Sequence, residues 1–208
     1  MKFRALLLAL ALVTTASATA AAAVTEHRES TTNLSIAYPV LSAENGVVAD
    51  PINADIAALA AGVRTAYESG AFYRGELGYR VHLDDENFLS VTFTDLRYDL
   101  RANQPTRRDY GYVYYKKTGQ RLPLAFFVHV MPSDLDGEAL SGHLYNEQGR
   151  NTPIQPEKTV HEVPANYFLG GRGYVCPIFQ AGELTASTGP TYILLDASIV
   201  DYFNRKNK

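Results

Sequence analysis

Apolar and polar side chains alternate over residues 77–130, and this alternation is the strongest structural signal in the chain. The apolar positions of its first two runs are Tyr79, Val81 and Leu83, then Leu89, Val91 and Phe93. A period of two is typical of half-buried strands, and the polar residues 85–87 between the runs indicate a turn. Two more β-rich runs follow at residues 110–115 and 122–130. The pattern predicts a β-meander that supplies one face of the core.

The second run changes parity near its end. Its apolar residues are odd-numbered up to Phe93 and even-numbered from Leu96 onwards. Because successive side chains of a strand point to opposite faces, such a change needs one extra residue. We therefore expect a β-bulge or a sharp bend at residues 94–96.

Helical periodicity is clearest after Asp50 and Pro51, which fit the N-cap and the first position of a helix. Apolar residues then recur at intervals of three or four, at Ile52, Ile56, Leu59, Val63 and Tyr67. This stripe predicts a helix over residues 51–69 that packs on the sheet.

Two other segments before the C-terminal third have weaker patterns. Residues 25–32 are polar and predict a flexible lead-in to a strand over residues 34–38, which ends at Pro39. Leucines at intervals compatible with a helix predict a second helix over residues 133–146, although Gly137 and Gly142 weaken its propensity.

The C-terminal third completes the predicted fold. Residues 167–169 and 174–179 flank a glycine-rich turn and predict a hairpin. Residues 191–195 predict a last strand, after which Asp196 fits the N-cap of a short terminal helix. The predicted fold class is α+β, with an antiparallel sheet of meander plus C-terminal hairpin covered by helices in a single domain.

The N-terminal residues have the composition of an export signal. Lys2 and Arg4 precede an apolar run over residues 5–13, and alanines fill residues 20–23. A basic start, a short apolar run and small residues at a cleavage site are typical of a secretory signal peptide. A retained anchor is the alternative, but the run is shorter than the roughly 20 residues that span a bilayer. We expect cleavage of residues 1–23, leaving residues 24–208 as one secreted or periplasmic domain.

The net charge of the chain gives no support for some classes of partner. Without Lys2 and Arg4 the chain keeps 17 of its 19 basic residues against 22 acidic ones, which gives a formal charge of −5. Mild acidity gives no reason to expect nucleic acid or an anionic membrane surface as partner. After residue 23, no stretch is apolar enough for a membrane span. The sequence gives no indication of an oligomeric state.

Catalytic and metal-binding motifs are not evident. The five histidines lack the spacing of a zinc site, so no metal or cofactor is predicted. Cys176 is the single cysteine, which excludes an intramolecular disulfide, and its apolar neighbours predict a buried, inert thiol. Ser141 lacks the glycines of a hydrolase elbow. The residues alone therefore reveal no chemistry. A hydrolase or glycan-modifying enzyme whose site assembles only in three dimensions stays open, as do a binding protein and a structural accessory domain.

One polar segment is a candidate binding surface. Arg97, Arg101, Arg107 and Arg108 could form a basic rim beside Tyr98 and Tyr110. Arginine and tyrosine are favoured anchors of binding sites. Arg107, Arg108 and Tyr110 are therefore candidate binding residues, and a merely solvated sheet edge is the alternative.

Three groups of segments, taken in order, carry a family resemblance. They are residues 34–41 with 51–56, residues 89–91 with 112–115 and 118–124, and residues 166–169, 174–179, 189–190 and 192–195. In this order they resemble the extracellular domain of lysozyme-sensing anti-sigma factors. A related domain precedes the catalytic domain in some bacterial peptidoglycan deacetylases.

The resemblance implies an exported α+β binding domain of the bacterial envelope, with a protein or a cell-wall glycan as ligand. In the sensing members that ligand is lysozyme, a basic protein that an acidic chain attracts at long range. A Pro-Tyr-Glu-Ile-like segment of the family corresponds to residues 178–181. The resemblance therefore adds Phe179, Gln180 and Glu183 to the candidate binding residues.

Overall fold

Two β-sheets and two α-helices make up the described part of the chain. The computed structural model describes residues 23–42, 46–135, 144–146, 149–151, 159–186 and 188–208. The predicted signal peptide therefore lies outside the described residues, except Ala23. The α+β fold class predicted from the sequence is confirmed.

The first sheet has six strands whose spatial order follows the chain. They are β1 (Ala23–Ser30), β2 (Leu34–Ser42), β3 (Arg74–Asp84), β4 (Phe88–Tyr98), β5 (Thr106–Tyr115) and β6 (Gln120–Arg121). Neighbouring strands are antiparallel except β2 and β3, which are parallel. Helix α1 (Gly46–Glu68) connects these two strands and packs on one face of the sheet.

The second sheet lies against the opposite face of the first. Its strands are β7 (Leu144–Asn146), β8 (Tyr167–Leu169), β9 (Val175–Phe179) and β10 (Thr191–Ile193), in the spatial order β7-β10-β9-β8. The edge strand β8 contacts β3, β4 and β5. Helix α2 (Ala197–Lys206) follows, and its Phe203 joins the core of this side. A second sheet, as well as α1, thus covers the first sheet.

The predicted stripe of α1 is confirmed. Ile52, Ile56 and Val63 are at most 2% exposed and pack against the first sheet. The predicted start of the helix was wrong, because α1 begins at Gly46 and includes Pro51 in its second turn. Proline removes one backbone hydrogen bond there, a cost that burial of the neighbouring apolar face offsets.

The polar lead-in predicted at residues 25–32 was wrong over most of its length. Residues 23–30 form β1, which pairs with β2 from Ala23 opposite Ser42 to Ser30 opposite Ser35. Side chains on both faces of β1 are largely exposed, so no apolar alternation marks it as a strand. The strand β2 also continues through Pro39, because beyond Ile36 it has a neighbour on only one side.

The bulge predicted at residues 94–96 was also wrong. Pairing with both neighbours runs without a shift through this region, and the irregularity lies instead between Val81 and Leu83 of β3. Odd-numbered side chains of β4 stay on one face beyond Phe93, because Asp95, which is 2% exposed, is buried on the same face as Phe93. Arg97, on the same face, donates to both carboxylate oxygens of Asp95 at 2.6–3.0 Å. An ion pair therefore replaces the expected change of face.

The helix predicted over residues 133–146 was wrong wherever it can be checked. Pro132–Leu135 is a 3₁₀ turn and Leu144–Asn146 is β7, while residues 136–143 lie outside the described residues.

The predicted hairpin is confirmed as β8 and β9. The predicted cap is confirmed too, because the Asp196 carboxylate accepts the N–H groups of Ser198 and Ile199. Among the described residues, no helix is long and apolar enough to cross a membrane.

The two sheets approach each other closely at β5 and β8. A Cβ atom on Gly111 would lie 1.9 Å from the carbonyl oxygen of Tyr167, so only glycine permits this approach. The hydroxyl of Tyr167 donates to the carbonyl of Leu122 at 2.6 Å, beyond the end of β6. These contacts fix β8 and the preceding residues 165–166 beside the edge of β5.

Candidate functional site

Within the described part of the chain, the outer edge of β5 pairs with another strand only at the C-terminal end of β5. The short strand β6 pairs with β5 only at Tyr114 and Tyr115. Backbone groups of alternate residues point away from β4, as shown by Val113, whose carbonyl accepts the N–H of Leu122. Asp109 and Gly111 share this direction because they differ from Val113 by even numbers of residues. Their N–H and C=O groups therefore face outward from the sheet.

A glutamine side chain closes part of this edge. The carboxamide of Gln180 accepts the N–H of Asp109 at 3.0 Å and donates to the Asp109 carbonyl at 2.7 Å. The carboxylate of Glu183 in turn accepts the backbone N–H of Gln180 at 2.7 Å. Residues 180–183 and 107–110 were two separate candidate groups in the sequence, and this contact brings them together.

A cleft lies along the edge next to the Gln180 contact. Its volume is about 390 Å³. The lining residues are Tyr110, Gly111, Tyr112, Arg121, Leu122, Pro123, Ala165, Asn166 and Tyr167. Tyr110 and Tyr112 belong to the face of β5 that packs with α1, and residues 165–167 belong to the opposite side. The outward backbone groups of Gly111 lie between these two walls.

A polar network supports the tyrosine wall. The guanidinium of Arg121 lies 4.4 Å from the centre of the Tyr112 ring and 3.3 Å from the carboxylate of Asp55 on α1. The hydroxyl of Tyr114 donates to the same carboxylate at 2.8 Å. Burial raises the pKa of Tyr112, although Arg121 opposes the shift, so its hydroxyl stays protonated. The wall thus places the Tyr112 ring beside a cation that Asp55 holds in position.

The predicted binding residues have different positions. Tyr110 lines the cleft, whereas Gln180 and Glu183 do not: Gln180 binds the neighbouring backbone position at Asp109, and Glu183 accepts the N–H of Gln180. Arg107 forms an ion pair with Asp109 at 3.0 Å, whereas the side chain of Arg108 is exposed. Phe179 is 4% exposed within the core, so it packs and presents no surface to a ligand.

Of the nine residues that line the cleft, only Tyr110 was predicted from the sequence as a binding residue. Among the others, Gly111, Arg121 and Asn166 come from three separate segments of the chain, and none was a candidate for binding. Glycine within the apolar-polar alternation of β5 is the one local signal, because an isolated glycine in a strand often marks close approach of another backbone.

Two other depressions have less definite chemistry. One, about 540 Å³, lies between residues 124–131 and the end of α2 and mixes apolar side chains with Lys206 and Asn207. The other lies where β2 diverges from β3 and contains Glu26 and Glu76. Glu26 is engaged by Arg28 at 2.9 Å, and both side chains are exposed. No group of three potential metal ligands occurs among the residues that the structure describes.

Comparison of the sequence with known protein families and with curated proteins gives no match. Solved structures do share the fold. A member of the DUF3298 family from Bacteroides fragilis has a TM-score of 0.51 and 12% identity, covering 87% of this chain and 92% of that one. A DUF3298 family protein from Pseudomonas aeruginosa has a TM-score of 0.51 and 10% identity, covering 86% and 91%. At these identities the likeness is one of fold alone.

Proposed function

We propose that this chain is an exported, non-catalytic binding protein of the bacterial envelope, and that the cleft on the edge of β5 binds peptidoglycan. The observation that carries the proposal is the composition of the cleft. Its nine lining residues include Tyr110 and Tyr112, an arginine and an asparagine, together with the outward backbone groups of Gly111. Few, well-placed polar groups among aromatic walls are typical of ligand sites.

The same nine residues favour binding over hydrolysis. Glycoside hydrolysis commonly uses a pair of carboxyl groups that flank the scissile bond. The lining of this cleft contains no Asp, Glu, His or Cys. Asp55, which contacts Arg121, already holds that cation and the Tyr114 hydroxyl, so its charge stabilises the wall.

Retention on isolated cell walls tests the proposal. The purified protein is sedimented with peptidoglycan sacculi, and with cellulose as a matched insoluble glycan, at about 0.3 M salt to suppress long-range charge attraction. We expect retention on sacculi only. Tyr110→Ala should weaken it at least about tenfold, because aromatic anchors dominate binding energy. The control is Tyr202→Ala, an exposed tyrosine on α2.

Equal retention on cellulose, or retention unaffected by Tyr110→Ala, would overturn the proposal. Assay of the supernatant for reducing ends and released acetate distinguishes the enzymatic alternative, in which soluble products accumulate with time.

A protein ligand is the second candidate, favoured by the resemblance to lysozyme sensors and by the exposed turn at residues 181–183 beside the cleft. Calorimetric titration with lysozyme at low salt and at about 0.3 M salt separates specific binding from charge attraction. Phe179→Ala is unsuitable as a test because it would create a core cavity. Glu183→Gln keeps an acceptor for the N–H of Gln180 and removes only the charge. Heat of binding that vanishes at high salt would exclude a specific lysozyme site.

A further inference from the structure

We propose, building on the peptidoglycan-binding function above, that the cleft recognises primary carboxamide groups of amidated stem peptides through the backbone of Gly111. The carboxamide oxygen would accept the Gly111 N–H, and its amino group would donate to the Gly111 carbonyl. Both hydrogen bonds form side by side, because a primary amide presents its oxygen and one N–H in the same direction.

The structure contains this interaction two residues away. The carboxamide of Gln180 pairs with the N–H and C=O of Asp109 at 3.0 and 2.7 Å. Gly111 follows Asp109 by two residues on the same strand, so its backbone groups point in the same direction. Among the described residues no hydrogen bond engages these two groups, and Gly111 is buried at the base of the cleft, so a ligand group must enter the cleft to reach them.

The backbone positions on either side of Gly111 show whether the cleft suits a terminal amide or an added peptide strand. Outward positions along a strand recur about every 6.8 Å, which is twice the rise per residue. On one side the Asp109 position is filled by Gln180, and on the other the Val113 carbonyl accepts the N–H of Leu122. An added strand would need these neighbouring positions as well. A terminal carboxamide needs only the one between them.

The walls of the cleft suit a carboxamide that belongs to a larger sugar-peptide extending out of the cleft. Tyr110 and Tyr112 form one side of the cleft, and residues 165–167 form the other. Arg121, beside Tyr112, adds a cation near the cleft that suits the acidic lactyl or peptide carboxylates of such a ligand.

The test compares ligands that differ only in the amide. The probes are N-acetylmuramyl-L-alanyl-D-isoglutamine, the corresponding glutamic acid compound, and the N,N-dimethylamide, which has no N–H to donate. Titrations follow the amide resonances of the ¹⁵N-labelled protein. We expect the isoglutamine compound to shift the Gly111 resonance and to bind at least about tenfold more tightly than both analogues, because an unpaired polar group in the site is costly.

A variant pair locates the binding at the cleft. Ala165→Leu narrows the cleft from an exposed position, and Ala181→Leu adds the same bulk in the exposed turn beyond Gln180. We expect the first to weaken binding of the isoglutamine compound at least about tenfold and the second to leave it unchanged. Equal affinity for the amide and the dimethylamide, or no shift at Gly111, would overturn the inference. If the protein fails this comparison but is still retained on sacculi, the peptidoglycan-binding function stands and only the carboxamide inference is overturned.

Discussion

The hydroxyl oxygen of Ser90 accepts the backbone N–H of Leu169 at 2.8 Å, and both residues are buried where β8 crosses β4. This hydrogen bond joins the two sheets. Leu169 lies opposite Val175 of β9, but its N–H points away from β9 and has no partner within its own sheet. A buried backbone N–H must find a partner, and here a side chain 79 residues away provides it.

Ser90→Ala should lower the free energy of unfolding by about 1–3 kcal/mol, because the N–H of Leu169 would stay buried without an acceptor. Urea unfolding followed by circular dichroism measures the change. The control is Ser69→Ala, whose hydroxyl donates to the Ala66 carbonyl at an exposed helix end. A loss no larger than that of the control would show that water replaces Ser90.

Gly111→Ala and Gly62→Ala should change stability in opposite directions. At Gly111 the new methyl group would overlap the Tyr167 carbonyl, so we expect a loss of at least about 1–3 kcal/mol. At Gly62, in the middle of α1, a Cβ atom meets nothing within 4 Å, so the gain in helix propensity should stabilise by about 0.5–1 kcal/mol. Thermal melts of the two variants check both signs, and a neutral Gly111→Ala would contradict the tight approach of β8.

His82 should make stability depend on pH below neutrality. Its ring stacks on the ring of Phe168 with their centres 4.1 Å apart, and its Nε2 lies 2.8 Å from the Thr92 hydroxyl. Burial, assisted by the charge of Arg80, lowers the pKa of His82 from 6.5 to about 4. Between these values the unfolded chain binds a proton that the folded protein does not. Stability should therefore be full above pH 6.5 and fall by up to about 3 kcal/mol as the pH drops towards 4.

Urea unfolding at pH 7.5, 6, 5 and 4.5 measures this dependence. His82→Gln should flatten it, whereas His161→Gln, at an exposed position, should keep the slope of the unmodified protein. Identical slopes for both variants would assign the acid sensitivity to other groups.

Cys176 should react slowly in the native protein. It is 2% exposed in a small apolar cluster with Phe168 and Ile178, and burial raises the pKa of its thiol to about 12. Labelling with a disulfide reagent should be at least about 100-fold slower in buffer than in urea, because the thiolate forms only on local opening. Immediate stoichiometric labelling without denaturant would contradict this.

Elements with a strong local pattern could be predicted from the sequence. The stripe of Ile52, Ile56 and Val63 has the helical period, and Asp196 directly precedes a short amphipathic segment. In contrast, β1 is exposed on both faces and Asp95 is a buried charge, so neither follows the rule that links apolar residues to the interior. Their structures depend on partners that the local sequence does not reveal.

The candidate site was only partly predictable for a related reason. Tyr110 and Gln180 were both singled out, but nothing in the sequence indicated that the Gln180 side chain contacts Asp109, 71 residues earlier. The most important groups of the cleft are the backbone N–H and C=O of Gly111. Every residue has these groups, and only strand pairing decides which of them remain accessible.

The parallel pairing of β2 with β3 has a consequence for cooperativity. It comprises three residue pairs, between Leu34–Ile36 and Gly75–Leu77, whereas β3 and β4 pair along almost their whole lengths. Native-state hydrogen exchange should therefore reveal a sub-global opening in which amides of β1 and β2 exchange while those of β3 and β4 stay protected. The cleft on β5, at the far side of the sheet, would keep its shape during such openings.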